Sequence, residues 1–189
     1  MAPQLTVQVC VLGGGVLGTA IARELALRGA TTLLLEKSLV GGGVSAGNTG
    51  IACTMLGIRQ DSEEWRCLAR GRPKNVPTYQ QLGIPHRATG ALYVAWSEEE
   101  LAAIEELRGQ EAELEVISSE DLARRERLGP AKGALFVPGE VTVDPGLVVL
   151  AFAVDAVRAG AQVCEKTEVR RAELLGSSWS LTLSDGRKV

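Results

Sequence analysis

Glycine and glutamate residues near the amino terminus have the types and spacing needed to bind a diphosphate and a ribose. Gly13 permits a tight strand-to-helix turn, Gly15 lets the backbone approach a diphosphate, and Gly18 lets helix and strand pack closely. Glu36 lies 18 positions after Gly18 in the sequence. Its carboxylate can accept hydrogen bonds from ribose hydroxyls and would repel a 2′-phosphate, which favours FAD or NAD over NADP.

Two strands and a helix are expected to position these residues. The apolar run Leu5–Leu12 alternates as a strand, Val16–Arg28 has helical periodicity that ends at Gly29, and Thr31–Leu35 is a second strand. The helix begins at Val16, where its unpaired N–H groups favour a diphosphate by about 0.3–1 kcal/mol, or about 2 kcal/mol where water is partly excluded. The apolar side of the helix is expected to carry Ile21, Leu25 and Ala26.

The rest of the chain alternates between helical and strand patterns. A polar, glycine-rich loop suited to wrapping a ligand is expected over residues 41–50. Helices are expected over Asp61–Leu82, from Ser97 to Leu107, from a cap at Ser118–Asp121, and from Asp144 to Gly160, with strands at Ala91–Trp96, Gln162–Cys164, Glu168–Leu174 and Trp179–Ser184.

The last residues carry a hairpin signal. Asp185-Gly186 suits a type I′ turn, but only Arg187, Lys188 and Val189 remain to form a returning strand. We therefore expect Trp179–Leu183 to be an unpaired sheet edge, which natural proteins avoid, and interpret the chain as truncated.

Composition limits the classes of partner. The net charge is −3, from 20 basic and 23 acidic residues, which argues against nucleic acid. No apolar run approaches the roughly 18 residues of a spanning helix, so only peripheral membrane contact remains open, and no signal peptide is visible. One local basic run is interpreted as a solvated helix face: Arg59, Arg66, Arg70, Arg72 and Lys74.

The cysteines and the single histidine do not suggest a metal site. The four cysteines lack CxxC spacing, so we expect reduced thiols in the cytoplasm or another reducing compartment, without a thiolate zinc site. His86 alone cannot anchor a metal cluster, and a packing or surface role is favoured.

With these residues in view, the chain resembles the amino-terminal half of FAD-dependent oxidoreductases of the D-amino-acid oxidase type. Within them it is most similar to the branch of flavin-dependent glycerol-3-phosphate dehydrogenase and L-2-hydroxyglutarate dehydrogenase. The segments that carry the resemblance are Gly13–Gly18, Leu35-Glu36-Lys37, Ser45–Ile51, Gly90–Ala95, Ser97–Leu101 and Val143-Asp144-Pro145.

The resemblance implies an α/β fold: a Rossmann-like FAD/NAD(P)-binding domain with part of an inserted antiparallel-sheet substrate domain. The implied divisions are residues 1–75 and 141–189 for the FAD-binding domain and 76–140 for the insertion. Ser45, Asn48, Thr49 and Gly50 would lie along the diphosphate and flavin, and the Val169 backbone would meet the adenine. The full set of expected cofactor contacts is Gly13, Gly15, Val16, Gly18, Glu36, Lys37, Ser45, Asn48, Thr49, Gly50 and Val169.

The implied reaction is hydride transfer to flavin from a small hydroxy acid, glycerol 3-phosphate or an amino acid, with quinone or oxygen open as electron acceptor. Two departures matter. This chain has Ile51-Ala52-Cys53 where the branch often has a histidine, and family members continue well beyond Val189. No catalytic base is assigned; Cys53 is a weak candidate, and packing beside the flavin is favoured for it.

Other functions share parts of this sequence pattern. A truncated FAD-binding fragment without turnover stays open, and an NAD-dependent dehydrogenase shares the glycine motif. Gly43–Gly47 also matches GxSxG, with Ser45, Asp61 and His86 in the order of a hydrolase triad. Ser45 is not fed directly by a strand, however, so this match is interpreted as accidental.

Overall fold

The computed structural model describes residues 6–52, 55–108 and 114–189. In chain order its elements are β1 (Val9–Leu12), α1 (Val16–Leu27), β2 (Thr32–Leu35), β3 (Ile51–Ala52), α2 (Glu63–Gln81), β4 (His86–Ala88), β5 (Ala91–Ala95), α3 (Glu98–Arg108), β6 (Glu115–Ser118), α4 (Ser119–Arg125), β7 (Gly133–Val137), β8 (Val141–Val143), α5 (Pro145–Arg158), β9 (Gln162–Cys164), β10 (Val169–Leu175) and β11 (Ser178–Leu183).

The chain divides into two units. The first comprises Met1–Thr49 and Asp144–Val189, and the second is Gly50–Val143. The division expected after residue 75 falls within α2, which runs from Glu63 to Gln81, and it stays a prediction. The roles expected for the segments, cofactor binding and substrate binding, stay predictions.

The first unit is built around a parallel sheet in the order β1-β2-β9. All four residues of the central strand β2 are buried. Because successive side chains of a strand point to opposite faces, Leu34 packs with residues of α1 and α5, whereas Leu33 and Leu35 pack with the β10–β11 hairpin. The sheet is therefore covered on both faces, as the expected Rossmann-like fold requires.

Helix α1 packs on the sheet and on α5 through small residues. Thr19, Ala22 and Ala26 are its buried positions. Ile21, which was expected on the packed side, is half exposed, and this expectation is wrong. The short side chains let α1 approach its neighbours closely, and the larger Ile21 points away. Gly29 follows the helix with φ +81°, as expected of a glycine that ends a helix.

The expectation that Trp179–Leu183 forms an unpaired sheet edge is wrong. β11 pairs antiparallel with β10 over most of its length, so Trp179–Leu183 is not an unpaired edge. The following turn is not type I′, because that turn needs positive φ at both central residues, and Lys166 is the non-glycine residue with positive φ in the described chain. Instead, the Gly186 N–H donates to Leu183 O, and the Leu183 N–H donates to Arg187 O, which closes a three-residue loop.

The second unit contains two antiparallel sheets, ordered β3-β8-β4 and β5-β7-β6. Ile104 of α3 and Leu135 of β7 share one core cluster, and Leu122 of α4 packs with Ala134 on the other face of β7. The expected caps are confirmed: Ser97 accepts from the Glu100 N–H at the start of α3, and Ser118 caps α4. Helix α2 begins at Glu63, two residues after its expected start, and is capped by Ser62. In the first unit, Asp144 caps α5 in the same way.

Candidate functional site

Residues 13–15 form the turn that joins β1 to α1, here called the glycine turn, and its backbone is closely packed. Gly13 has φ +106°, a conformation that side chains disfavour, and its N–H donates to Leu35 O at 2.9 Å. A methyl group on Gly18 would overlap the Gly13 carbonyl oxygen. Gly13 and Gly18 therefore have the structural roles that their spacing predicts, a tight turn and a close helix-to-strand contact.

The amino terminus of α1 is exposed and has no cap from its own preceding residue. Gly15 occupies the N-cap position, and Leu17 in the first turn is 76% exposed. The Ser45 hydroxyl accepts a hydrogen bond from the Val16 N–H at 3.0 Å. A Cβ on Gly15 would lie 3.0 Å from the same Ser45 oxygen. The Ser45 oxygen thus uses a donor that an oxyanion at this helix end would also use.

Glu36 follows β2 and faces the glycine turn. Its Oε2 accepts from the Gly14 N–H and its Oε1 from the Ser38 N–H, each at 2.7 Å. These two hydrogen bonds hold the pKa of Glu36 below its ordinary value, and the nearby charge of Lys37 adds to the effect. An ionised carboxylate has about four acceptor positions, so two remain for hydroxyl donors.

The loop after β2 is tied to this region by backbone hydrogen bonds. The Gly41 N–H donates to Gly14 O at 2.9 Å. Residues Val44–Ala46 then form a short 3-10 turn, and the Asn48 amide donates to Ser45 O at 2.6 Å. The loop expected over residues 41–50 therefore runs beside the glycine turn as far as Thr49, where the first unit ends.

Most of the expected cofactor residues belong to the first unit, and Gly50 belongs to the second. Lys37 is exposed and adjoins Glu36. Val169 begins β10, two residues after Thr167, whose N–H donates to Glu36 O at 2.8 Å. Gly50 is buried in the second unit, where its carbonyl accepts from the Val143 N–H. The first unit thus gathers Gly13, Gly15, Val16, Gly18, Glu36, Lys37, Ser45 and Asn48 around one turn.

Sequence reasoning missed two contributors to this site. Gly14, within the glycine motif, was given no role, yet its N–H fixes Glu36 and its carbonyl accepts from Gly41. Glu165 accepts from the Val40 N–H at 2.7 Å and so tethers the loop after β2. The position of Gly14 in the motif could have suggested its role, whereas no local pattern connects residues 40 and 165.

The alternative hydrolase triad has no support in the hydrogen bonds. Asp61 pairs with Arg59, and His86 Nδ1 lies 2.8 Å from Ile84 O. Ser45 accepts from Val16, and none of the three triad side chains hydrogen-bonds another. His86 also packs against Tyr79, with ring centroids 5.7 Å apart, in line with the favoured packing role.

Three of the four cysteines lie in the described part of the chain. Cys10, Cys67 and Cys164 carry free thiols. Burial, with a smaller contribution from Cys164, raises the pKa of the Cys10 thiol, which disfavours its nucleophilic thiolate form. Cys53, the weak candidate for a base, lies outside the described residues. Among the described helices, none is both long and apolar enough to cross a bilayer.

A parallel βαβ unit with a glycine-rich turn at the helix amino terminus and an acidic residue after the second strand defines a dinucleotide-binding fold. Residues 8–189 match the DAO family, described as FAD dependent oxidoreductase, and the chain belongs to this family. The expected resemblance and the expected cofactor, FAD, are confirmed at this level.

Known relatives agree with the family. Glycine oxidase of Bacillus subtilis is 27% identical over 95% of this chain and 50% of its own length. Human mitochondrial L-2-hydroxyglutarate dehydrogenase is 28% identical over 93% and 40%. The crystal structure of glycine oxidase from Geobacillus kaustophilus superimposes with a TM-score of 0.87 at 26% identity, covering 95% of this chain and 52% of that protein. The chain thus spans about half the length of these relatives or less.

Proposed function

We propose that this chain binds FAD as part of an oxidoreductase that takes hydride from a small hydroxy acid, glycerol 3-phosphate or an amino acid. The observation that carries the proposal is the pair of hydrogen bonds that aim Glu36 at the glycine turn beside the exposed α1 amino terminus. Ribose and diphosphate are the two groups of a dinucleotide that such a pair of features recognises.

The first unit has hydrogen-bond donors and acceptors that suit the adenosine diphosphate part of FAD. The two remaining acceptor positions of Glu36 would receive the ribose hydroxyls. Gly15 and Val16 would supply backbone N–H groups to the diphosphate, and the Ser45 hydroxyl would exchange its bond from Val16 for one to a phosphate oxygen. The absence of a side chain at Gly15 leaves room for this approach.

The remaining contacts rest on the family resemblance. Asn48, Thr49 and Gly50 are proposed to follow the diphosphate toward the flavin, Lys37 to adjoin the ribose, and Val169 to meet the adenine through its backbone. The flavin supplies the hydride acceptor, and the protein supplies binding and orientation. Quinone or oxygen is the proposed final electron acceptor, and free thiols at Cys10, Cys67 and Cys164 support a reducing compartment such as the cytoplasm.

The test is to add FAD to the purified chain, desalt it, and record its visible absorbance and melting temperature. Ligand that binds the native state raises its stability, so a retained flavin spectrum and a raised melting temperature are expected. Glu36→Gln should weaken FAD binding by about tenfold or more, because a hydrogen bond to a charged group is lost. The matched control is Glu64→Gln, the same change at an exposed position of α2.

The outcomes separate the alternatives. A colourless protein with an unshifted melting temperature would contradict FAD binding by this chain. If NAD raised the melting temperature more than FAD did, the choice of cofactor would be wrong. Retained FAD that is not bleached anaerobically by glycine, L-2-hydroxyglutarate or glycerol 3-phosphate would favour the fragment without turnover over the complete activity.

A further inference from the structure

The second unit contains a cavity of about 490 Å³ that is lined by both apolar and polar side chains. Its apolar lining includes Ala52, Met55, Val76 and Val141. The polar side chains come from Arg72 and Asn75 of α2. The volume lies within the range of small-molecule sites, which are mostly apolar and carry a few polar groups that fix orientation.

Arg72 is directed to this cavity by helical spacing and by a glycine. Ala69 and Val76 also line the cavity, and they lie three residues before and four after Arg72, on the same side of α2. The guanidinium rests on Gly139: a methyl group there would overlap Arg72 Nη2. The glycine therefore provides the space in which the charged end of Arg72 lies.

Arg72 differs from the other basic residues of its run because it is partly buried, whereas they are exposed. Arg59 and Arg66 are exposed and form ion pairs with Asp61 and Glu63. Arg72 is partly buried, and across the described ranges its guanidinium has neither a hydrogen bond nor an ion pair. A cation removed from water without a partner is unfavourable, and a guanidinium offers five donors in a fork that matches an oxyanion.

We propose that this cavity binds a small organic anion whose carboxylate or phosphate group pairs with Arg72. The Asn75 amide supplies a further donor, and the apolar part of the ligand lies against Met55, Val76 and Val141. The described residues that line the cavity all belong to the second unit. The proposal therefore does not depend on FAD binding by the first unit.

Isothermal titration of the whole chain tests the proposal with three probes. Butyrate carries a carboxylate, propyl phosphate carries a phosphate, and butyramide matches butyrate in shape without its charge. We expect at least one anion to bind at least about tenfold more tightly than butyramide, because charge-assisted hydrogen bonds are the stronger ones. The preferred anion then identifies the oxyanion that the cavity accepts.

Two variants and a control assign the binding to Arg72. Arg72→Gln should weaken anion binding by about tenfold or more. Gly139→Ala keeps every charge but displaces the guanidinium, so it should also weaken binding. Lys74→Gln removes an exposed charge from the same helix and should leave affinity unchanged. Circular dichroism verifies that each variant is folded, and the comparison of the three probes on the unchanged chain still tests the preference for an anion if Arg72→Gln does not fold.

Several results would overturn the proposal. They are an absence of anion binding to the unchanged chain, equal binding of butyrate and butyramide with no preference for propyl phosphate, and equal loss of affinity in Lys74→Gln and Arg72→Gln. Unchanged affinity in a folded Arg72→Gln variant would also contradict the assigned position of the anion.

Discussion

The Oε2 atom of Glu36 accepts a hydrogen bond from the Gly14 N–H at 2.7 Å, which joins the end of β2 to the turn after β1. The second carboxylate oxygen is held by the Ser38 N–H at the same distance. Glu36 is therefore oriented by the protein itself. An acceptor that is already in position loses less conformational entropy when a ligand binds.

The stability contributed by Glu36 should depend on pH. Its folded pKa lies below the unfolded value of about 4.3, because Gly14 and Ser38 stabilise the charged form. The contribution is thus complete above about pH 4.3 and is lost as pH falls through the folded pKa. Urea unfolding at about pH 7 and about pH 3 should show a stability gap between the unchanged chain and Glu36→Gln that narrows in acid.

Glu64→Gln controls for the change in net charge, since Glu64 is exposed on α2. A gap for Glu36→Gln that is the same at both pH values would contradict the assignment of these hydrogen bonds to the ionised carboxylate.

Gly18 should not tolerate a side chain. Gly18→Ala places a methyl group on the Gly13 carbonyl oxygen, and we expect a loss of about 1–3 kcal/mol in the free energy of unfolding. Gly71→Ala in α2 is the matched control, because its added methyl group meets no atom of the described chain within 4 Å apart from its two neighbours and the backbone of its own helix. It should raise stability by about 0.5–1 kcal/mol. Equal effects in urea unfolding would show that packing at Gly18 is not the cause.

Local sequence patterns predict the parts of the fold whose signals lie close together in the chain. The run from β1 to β2, with its glycines and Glu36, was predicted because turn, helix start and acidic residue all lie within 40 positions of each other. Helix α5 was predicted for the same reason, since Asp144 and Pro145 mark its start locally.

Other features depend on contacts that a linear pattern does not contain. Ile21 is exposed because α1 packs through alanines against α5, more than 120 positions later. The β10–β11 pairing was missed although a local signal exists: Gly176 has φ +64° and is the first residue of a two-residue loop, the position that a type II′ turn gives to glycine.

Arg72 illustrates the same limit at the second site. In the sequence it is one of five basic residues in a run that reads as solvated, and Arg59, Arg66, Arg70 and Lys74 are indeed exposed. Arg72 differs from them because its guanidinium lies against Gly139. Gly139 is distant in the sequence, and no periodic pattern relates the two positions.

Two prolines within α2 predict a stabilising substitution. Pro77 is exposed, and it lacks the N–H that would donate to the Pro73 carbonyl. Pro77→Ala should raise the free energy of unfolding by about 1–2 kcal/mol, less than the full helix-propensity difference of about 3 kcal/mol, because the helix has adapted to proline. Pro145→Ala is the control: Pro145 begins α5, where no hydrogen bond is lost, and its effect should stay within about 0.5 kcal/mol. A Pro77→Ala variant no more stable than Pro145→Ala would refute the argument.

The ion pair between Arg23 and Asp155 should couple α1 to α5. Their Nε and Oδ2 atoms are 2.7 Å apart, their side chains are 14% and 20% exposed, and the Arg23 guanidinium lies 5.9 Å from the Phe152 ring centroid. Asp155→Asn would leave a largely buried guanidinium without its counter-ion. We therefore expect the free energy of unfolding to fall by about 1–3 kcal/mol.

The comparison is with the ion pair of Arg28 and Glu24, which joins two turns of α1 and is more than half exposed on both sides. A double-mutant cycle there should give about 0.3–0.5 kcal/mol, and the cycle on Arg23 and Asp155 should give a clearly larger coupling. Added salt should lower the coupling energy of the exposed pair more than that of the buried pair, because exposed charges are screened more strongly. Equal coupling energies in the two cycles would mean that α1 and α5 are held by their alanine contacts alone.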